Sequence, residues 1–338
     1  MSYLQKQIGE DEASAETACI QYSLIIPVYK NELNIQSLLA ALSQFSQDFG
    51  EGLEVVFVVD GSPDRSEELL AAQLPAQSYP SQLISLSRNF GSFSAIRQGL
   101  LMARGTYFAV MAADLQEPIA LIHEFFNCLK QDVADVVLGQ RLSREDGMSA
   151  GFSHLYWGFY RRFVMPGIPS GGVDVFGCNN IVRDALMQMR ELNTSLLGQL
   201  FWVGYRRCFI PYHRQPRQAG KSAWKLSRKI RYLLDSLFSF SDFPIIVLMG
   251  VGITGVVLSI VLGFTILILR IVGGIVTPGY TPIVLILLAL GSIIIVGQGI
   301  LGGYIWRTLQ NTMDRPLVLV ARQQAYHSSM NDTRPISE

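Results

Sequence analysis

No two cysteines stand close together in this chain. Its four, Cys19, Cys128, Cys178 and Cys208, are scattered singly through 338 residues. No pair has the spacing of a metal-binding or redox motif, so reduced, mostly buried thiols facing the cytosol are expected. The N-terminus lacks a basic segment followed by an apolar core. Glu10, Asp11, Glu12 and Glu16 make it acidic instead, and no signal peptide is expected. No Gly-x-Gly-x-x-Gly follows the first apolar run, which disfavours an ordinary dinucleotide fold. No P-loop follows any strand-like run. Gly220-Lys221-Ser222 has the letters but lacks the upstream glycine and a preceding strand at the right distance. Acids are missing from Arg206 to Arg231, where nine Lys or Arg occur. That stretch suits an anionic partner, either lipid headgroups or phosphates. Charge is missing altogether from Ile245 to Leu269 and from Ile271 to Trp306.

What is present is apolar. Hydrophobic residues make up 49% of the chain, and the formal net charge is zero. The mean hydropathy of +0.29 is high for a purely soluble protein. Residues 1–21 read as a polar tail. Apolar runs suited to buried parallel strands follow at Tyr22 to Pro27, Leu53 to Val59, Leu83 to Leu86, Tyr107 to Met111 and Asp135 to Leu138. Between them lie helical patterns, such as Ile35, Leu38, Leu39 and Leu42 on one face. Ser62-Pro63 reads as an N-cap and first-turn proline. Strand and helix alternate every roughly 25–30 residues, the βαβ pattern of a doubly wound α/β sheet. From 140 to 215 the pattern is less regular. An aromatic helix is expected over Phe152 to Val164, further helices from Asp184 and over Ser195 to Val203, and a late strand over Cys208 to Tyr212.

The α/β domain is therefore expected to occupy 22–215. A basic segment over 216–243 contains an amphipathic helix, Trp224 to Phe240, suited to the membrane interface. Packing of that helix on the soluble domain is the alternative. Two uncharged spans, Ile245 to Leu269 and about Ile283 to Tyr304, are each long enough for a ~30 Å hydrocarbon core. They form a transmembrane hairpin over 244–306, followed by a tail over 307–338. Basic residues flank the outer ends of the pair, which puts both termini in the cytosol. Glycines at 291, 297, 299, 302 and 303 would permit close helix contact and a homo-oligomer.

The chemistry gathers in the loops. In a doubly wound sheet, ligands bind beyond the carboxyl ends of the strands. Tyr29 to Glu32, Asp60, Arg88-Asn89 and Asp114 to Gln116 fall in such loops. Asp114 and Gln116 are oxygen donors two residues apart, of the kind a hard divalent cation takes while bridging phosphates. Asp60 could accept from a nucleobase N–H, and Glu32 could bind a ribose or base edge. Helix capping is the plainer role for either acid, and a solvated turn is the plainer reading of Ala112 to Pro118.

Six segments, in order, carry a resemblance: Ser23-Leu-Ile-Ile-Pro-Val-Tyr-Lys-Asn-Glu32, Val59-Asp-Gly-Ser-Pro-Asp64, Leu86-Ser-Arg-Asn-Phe-Gly91, Ala113-Asp-Leu-Gln-Glu-Pro118, Gly220-Lys-Ser-Ala-Trp224 and Phe238-Ser-Phe-Ser-Asp-Phe-Pro244. Together they resemble the polyisoprenyl-phosphate glycosyltransferases of glycosyltransferase family 2. The likeness is nearest to bactoprenol (undecaprenyl-phosphate) glucosyltransferases and more distant to dolichyl-phosphate mannose synthases. It implies a glycosyltransferase A fold and inverting transfer of a sugar, glucose, from UDP-glucose to a polyprenyl phosphate in the cell (inner) membrane of a bacterium. On matching positions it implies a Mg2+ or Mn2+ ion on Asp114 and Gln116, and nucleotide-sugar contacts at Pro27, Tyr29, Glu32, Asp60, Arg88 and Asp114. Arg141, Arg161, Arg162, Lys221 and Ser222 would meet the acceptor phosphate, and Asp174 falls near a family acid beside the acceptor. Membrane lipids are implied partners, a flippase would carry the product across, and no nucleic acid is called for.

Two departures stand out. The family commonly has two aspartates before Gly61 and a full Asp-x-Asp before Leu115. Here Val59 and Ala112 replace the first member of each. Two other readings stay open: a processive polysaccharide synthase, and a membrane scaffold that binds nucleotide-sugars without turnover.

Overall fold

The structure is a computed structural model. It describes residues 20–142, 158, 168, 173–191, 195–215, 241, 243–272 and 280–327. The aromatic helix, Arg161, Arg162, Lys221, Ser222 and the basic amphipathic helix lie outside the described residues.

Strands β1 (Tyr22–Val28), β2 (Leu53–Val59), β3 (Ser81–Leu86) and β4 (Tyr107–Val110) alternate with helices α1 (Ile35–Ser46), α2 (Ser66–Gln73), α3 (Ser92–Met102) and α4 (Ile119–Lys130). Then come β5 (Val136–Arg141), β6 (Val173–Asn179), α5 (Asn180–Gln188), α6 (Leu196–Trp202) and β7 (Arg207–Tyr212). Two long helices follow, α7 (Phe243–Ile271) and α8 (Tyr280–Thr312), and last β8 (Val320–Tyr326). The eight strands form one sheet in the order β7-β5-β6-β4-β1-β2-β3-β8. Strands β1 to β4 pair in parallel, as does β5 with β7, while β6 and β8 run antiparallel to their neighbours.

Successive strand residues point to opposite faces, and each face has its own core. Leu24, Ile26, Val28, Val55 and Phe57 pack beneath α1 and α4. Ile25, Val56, Val58 and Ile84 pack beneath α3, α5 and α6. Burial on both faces explains the unbroken apolar runs. Pro27 is tolerated in a central strand because the β1–β4 ladder has already ended at Ile25 and Val110. Its missing N–H falls where β4 has turned away.

At the opposite edge from the ligand loops a carboxylate is fully buried. Glu54 accepts from Ser23 Oγ (2.7 Å), Gln82 Nε2 (3.1 Å), the Arg104 amide (2.5 Å) and Arg104 Nε (2.8 Å). The Gly105 amide donates to Ser23 Oγ at 2.9 Å. One side chain thus ties β1, β2, β3 and the α3–β4 loop together.

Three sequence expectations change. Helix α2 begins at Ser66 with Arg65 in the capping position, not at Ser62. The tail after the hairpin contains β8, antiparallel to β3 at the sheet edge. Its residues are mostly exposed, so main-chain pairing holds it and no hydrophobic alternation announces it. Cys128 and Cys208, 80 positions apart, are brought side by side. Burial, then the neighbouring Cys208, pushes the Cys128 thiol up to about 11. The three described cysteines are free.

Among the described residues, one helical segment, Phe243–Thr265, is long and apolar enough to cross a membrane. Helices α7 and α8 meet where a Cβ on Gly297 would lie 3.0 Å from Leu248 Cδ1.

Candidate active site

The carboxyl ends of the parallel strands carry most of the residues singled out from sequence. Along this edge, β7 ends at Tyr212, β5 at Arg141, β4 leads into Asp114, β1 into Tyr29, β2 into Asp60 and β3 into Arg88. Antiparallel β6 begins here: Val173 is in register with Gln140, which sets the backbone of Asp174 at the same edge.

The β1 and β2 loops are clamped by hydrogen bonds. Lys30 adopts φ +59, a left-handed backbone, and its amide donates to Ser62 Oγ at 2.8 Å. The Asn31 amide donates to Ser66 Oγ, and the Glu32 amide to Asp64 Oδ2. Glu32 returns the contact by accepting from the Arg65 amide at 3.2 Å. Ser62 Oγ donates to Asp64 Oδ1. Partial burial alone would push the Asp64 carboxyl up. The Ser62 and Ser66 hydroxyls and the Glu32 and Ser66 amides outweigh it and hold it below its ordinary value. The clamping role of Ser62, Asp64 and Ser66 escaped the sequence reading, which took Ser62 for a helix cap, because each bonds a group about 32 to 35 residues away, which no local pattern encodes.

Asp60 is only 2% exposed. Its carboxylate accepts from Asn89 Nδ2 (2.8 Å) and the amides of Phe90 (2.7 Å) and Gly91 (2.9 Å). Asp60 therefore shapes the β3–α3 loop. Arg88, exposed on that loop, stacks its guanidinium 4.1 Å from the Phe90 ring centroid. Gly61 lies under the same loop at φ +54, where a Cβ would fall 2.3 Å from the Arg88 carbonyl carbon and 2.5 Å from the Asn89 nitrogen. Gly61→Ala should cost about 2–4 kcal/mol from backbone strain plus overpacking. Wild-type melting in that variant would refute the close-approach argument.

Asp114 sits 7% exposed just past β4. Leu115 takes φ +54, and the Gln116 amide lies 3.4 Å from Asp114 Oδ1. Two non-glycine residues with left-handed backbone, Lys30 and Leu115, thus flank the ends of adjacent strands β1 and β4. Such strain concentrates at functional loops. The Gln116 side chain turns to the segment after β7. Its Oε1 accepts from Arg214 Nη2 at 2.7 Å, and its Nε2 donates to the Gln215 carbonyl at 3.3 Å. The Gln215 amide closes the link on the Gln116 carbonyl at 2.8 Å. Arg214 Nε also lies 3.9 Å from Glu117 Oε1. Arg214 is a residue the sequence reading missed.

Among the described residues no three His, Cys, Asp or Glu side chains converge on one point. A magnesium-like ion asks for less: one or two carboxylates, with substrate phosphates and waters filling the shell. Asp114 fits that demand. In this arrangement Gln116 Oε1, the second donor expected from sequence, accepts from the Arg214 guanidinium.

The pattern of glycosyl transferase family 2 matches residues 23–188. Across more of the chain, an uncharacterized glycosyltransferase of Synechocystis is 30% identical over 304 residues, 89% of this chain and 95% of that protein. The chain belongs to glycosyl transferase family 2. The bactoprenol glucosyl transferase of Shigella phage SfX is also 30% identical over 304 residues, covering 89% of this chain and 99% of that protein. A prophage bactoprenol glucosyl transferase homolog of Escherichia coli is 29% identical over 306 residues, 90% of this chain and 99% of that protein. The protein is a glycosyltransferase built on a mostly parallel sheet, and the edge described above is its candidate active site.

Proposed function

We propose that this glycosyltransferase moves one glucose from UDP-glucose to a polyprenyl phosphate, with inversion, at the cytosolic face of a bacterial cell membrane. The observation that carries the reading is the extent of the likeness. Relatives named bactoprenol glucosyl transferase match about nine-tenths of this chain, so the likeness runs beyond the sheet into the apolar helices. The uncharged stretches inside α7 and α8 are read as a transmembrane hairpin, with 216–243 as its interfacial lead-in. Strand β8 supports this topology. Because β8 pairs with β3, the chain must re-enter the compartment of the sheet after α8, which requires an even number of crossings.

The acceptor sets the chemistry. A phosphate monoester has a second pKa of ~6 and is largely ionised near neutrality. Its oxygen attacks the anomeric carbon as the bond from that carbon to the UDP oxygen breaks, and no general base is needed. The protein's work is to hold two anions in line. Tyr29, Glu32 and Arg88 would contact the nucleotide-sugar on the floor that Asp60 builds beneath them. Arg141, with Arg161, Arg162, Lys221 and Ser222, would receive the acceptor phosphate. Asp174 would orient rather than deprotonate. A divalent ion, Mg2+ or Mn2+, held by Asp114 would act as Lewis acid on the departing diphosphate.

The test uses purified full-length protein, labelled UDP-glucose, magnesium or manganese, and undecaprenyl phosphate. A lipid-extractable product carrying one glucose is expected. Long polymer would favour a synthase, and donor binding without product would favour a scaffold; either would overturn the proposal.

A further inference from the structure

The donor and acceptor flanks of the candidate site stand on different strands. Asp114 follows β4, while Arg141 ends β5. Antiparallel β6 separates those strands, and β7 lies beyond β5 at the edge of the sheet. Asp114 is four residues past Val110, where β4 ends, so the strand ladder does not hold its loop. A transfer between two anions needs both flanks at one separation.

The residues from Tyr212 to Gln215 join the flanks. At one end, Tyr212 is in register with Arg141, and its carbonyl accepts from the Leu142 amide at 3.0 Å. At the other end, the Gln215 amide donates to the Gln116 carbonyl at 2.8 Å. Arg214 fastens the middle. Its Nη2 donates to Gln116 Oε1 at 2.7 Å, and its Nε lies 3.9 Å from Glu117 Oε1. The Glu117 side chain is 1% exposed and that of Arg214 27%, so water screens this pair less than it would a surface pair. A planar guanidinium can hold an amide oxygen and a carboxylate at once; an ammonium on a flexible stem is a single point charge. Neutralising a buried acid would require only the Glu117 contact. The closer contact is the one to Gln116, two residues from Asp114.

We propose that Arg214 is a positioning residue for sugar transfer. Through Gln116 and Glu117 it holds the Asp114 loop at a fixed place against Arg141, and the link persists while both substrates are bound. The proposal rests on the donor and acceptor flanks assigned under the proposed function and deepens that reading.

Full-length Arg214→Ala and Arg214→Lys are assayed with UDP-glucose, magnesium and undecaprenyl phosphate. Hydrogen exchange over residues 112–118 is followed without substrates. Arg214→Ala should lower kcat about 10–100-fold, the scale of a misplacement of about 1 Å. Both KM values should stay near wild type, because the residue acts through the loop and not on a substrate. Exchange over 112–118 should quicken. Arg214→Lys keeps the charge beside Glu117 without the fork and should recover only part of the rate. Arg214→Ala combined with Glu117→Gln should lose less than the two single losses together, because both break one link. Wild-type kcat in Arg214→Ala, unchanged exchange or strictly additive losses overturn the positioning role. So does full recovery by Arg214→Lys, which would mean neutralisation of Glu117 alone, and so does a loss confined to KM, which would mean substrate binding. Wild-type protein that makes no lipid-linked glucose refutes the proposed function and the alignment with it. Product from wild type, matched by Arg214→Ala, refutes the alignment alone.

Discussion

Asp114→Asn should lower kcat by about 10²–10³-fold, the usual loss when an electrostatic stabiliser of transition-state charge is removed. The change keeps the volume of the side chain and removes its charge. The carboxylate sits nearly buried just past β4, outside both hydrophobic clusters, so melting should hardly move. The loss should not be recovered by raising magnesium or manganese, because the ligand itself has gone. Turnover near wild type at saturating metal would sink the assignment. Gln116→Ala separates two arrangements of the same loop. If Gln116 stays tethered to Arg214 during turnover, the variant should loosen the segment after β7 and leave the metal dependence unchanged. A raised metal requirement would mean that Arg214 releases Gln116 when donor binds.

The second large effect concerns stability, at the other edge of the sheet. Glu54→Ala removes the acceptor of four hydrogen bonds at once. It leaves the buried Ser23 hydroxyl without its acceptor and Gln82 Nε2 with the Met102 carbonyl alone, and it frees the half-exposed Arg104. Losing these bonds, with a buried hydroxyl left unpaired, costs about 2–4 kcal/mol. For a domain of this size that corresponds to a fall in melting temperature of about 10 °C. Thermal unfolding followed by intrinsic fluorescence, at matched detergent, measures it. The donor KM should be unchanged at low temperature, because Glu54 and the ligand loops lie at opposite ends of the strands. A melting temperature within a degree of wild type would show that the network adds little beyond the packing around it.

Much of this was legible beforehand. Every strand from β1 to β4 was expected within two residues of where it lies, and β5 within three, because strands buried on both faces must be continuously apolar. Helix α4 announced itself through Leu121, Ile122, Phe125, Phe126 and Leu129, all facing the core. What escaped notice depends on contacts between distant segments. Ser62 looked like a helix cap and instead receives the Lys30 amide. Strand β8 reads Val-Ala-Arg-Gln-Gln-Ala-Tyr, with no periodicity, because an edge strand can be held by main-chain bonds alone. Arg214 looked like one more member of a basic run.

The sequence by itself determined the alternation of strand and helix, the edge at which the ligand loops gather and the uncharged stretches that follow. Each of these is written in local periodicity and composition, which one stretch of chain carries without help from any other. Only the tertiary structure shows which groups the donor oxygens meet. Asp60 and Asp114 both end a strand run in sequence, yet three donors from the β3–α3 loop hold Asp60, and Arg214 engages Gln116. Hydrogen bonds are satisfied by whatever lies nearest in space, and for these side chains the nearest groups lie about 30 to 100 residues away along the chain.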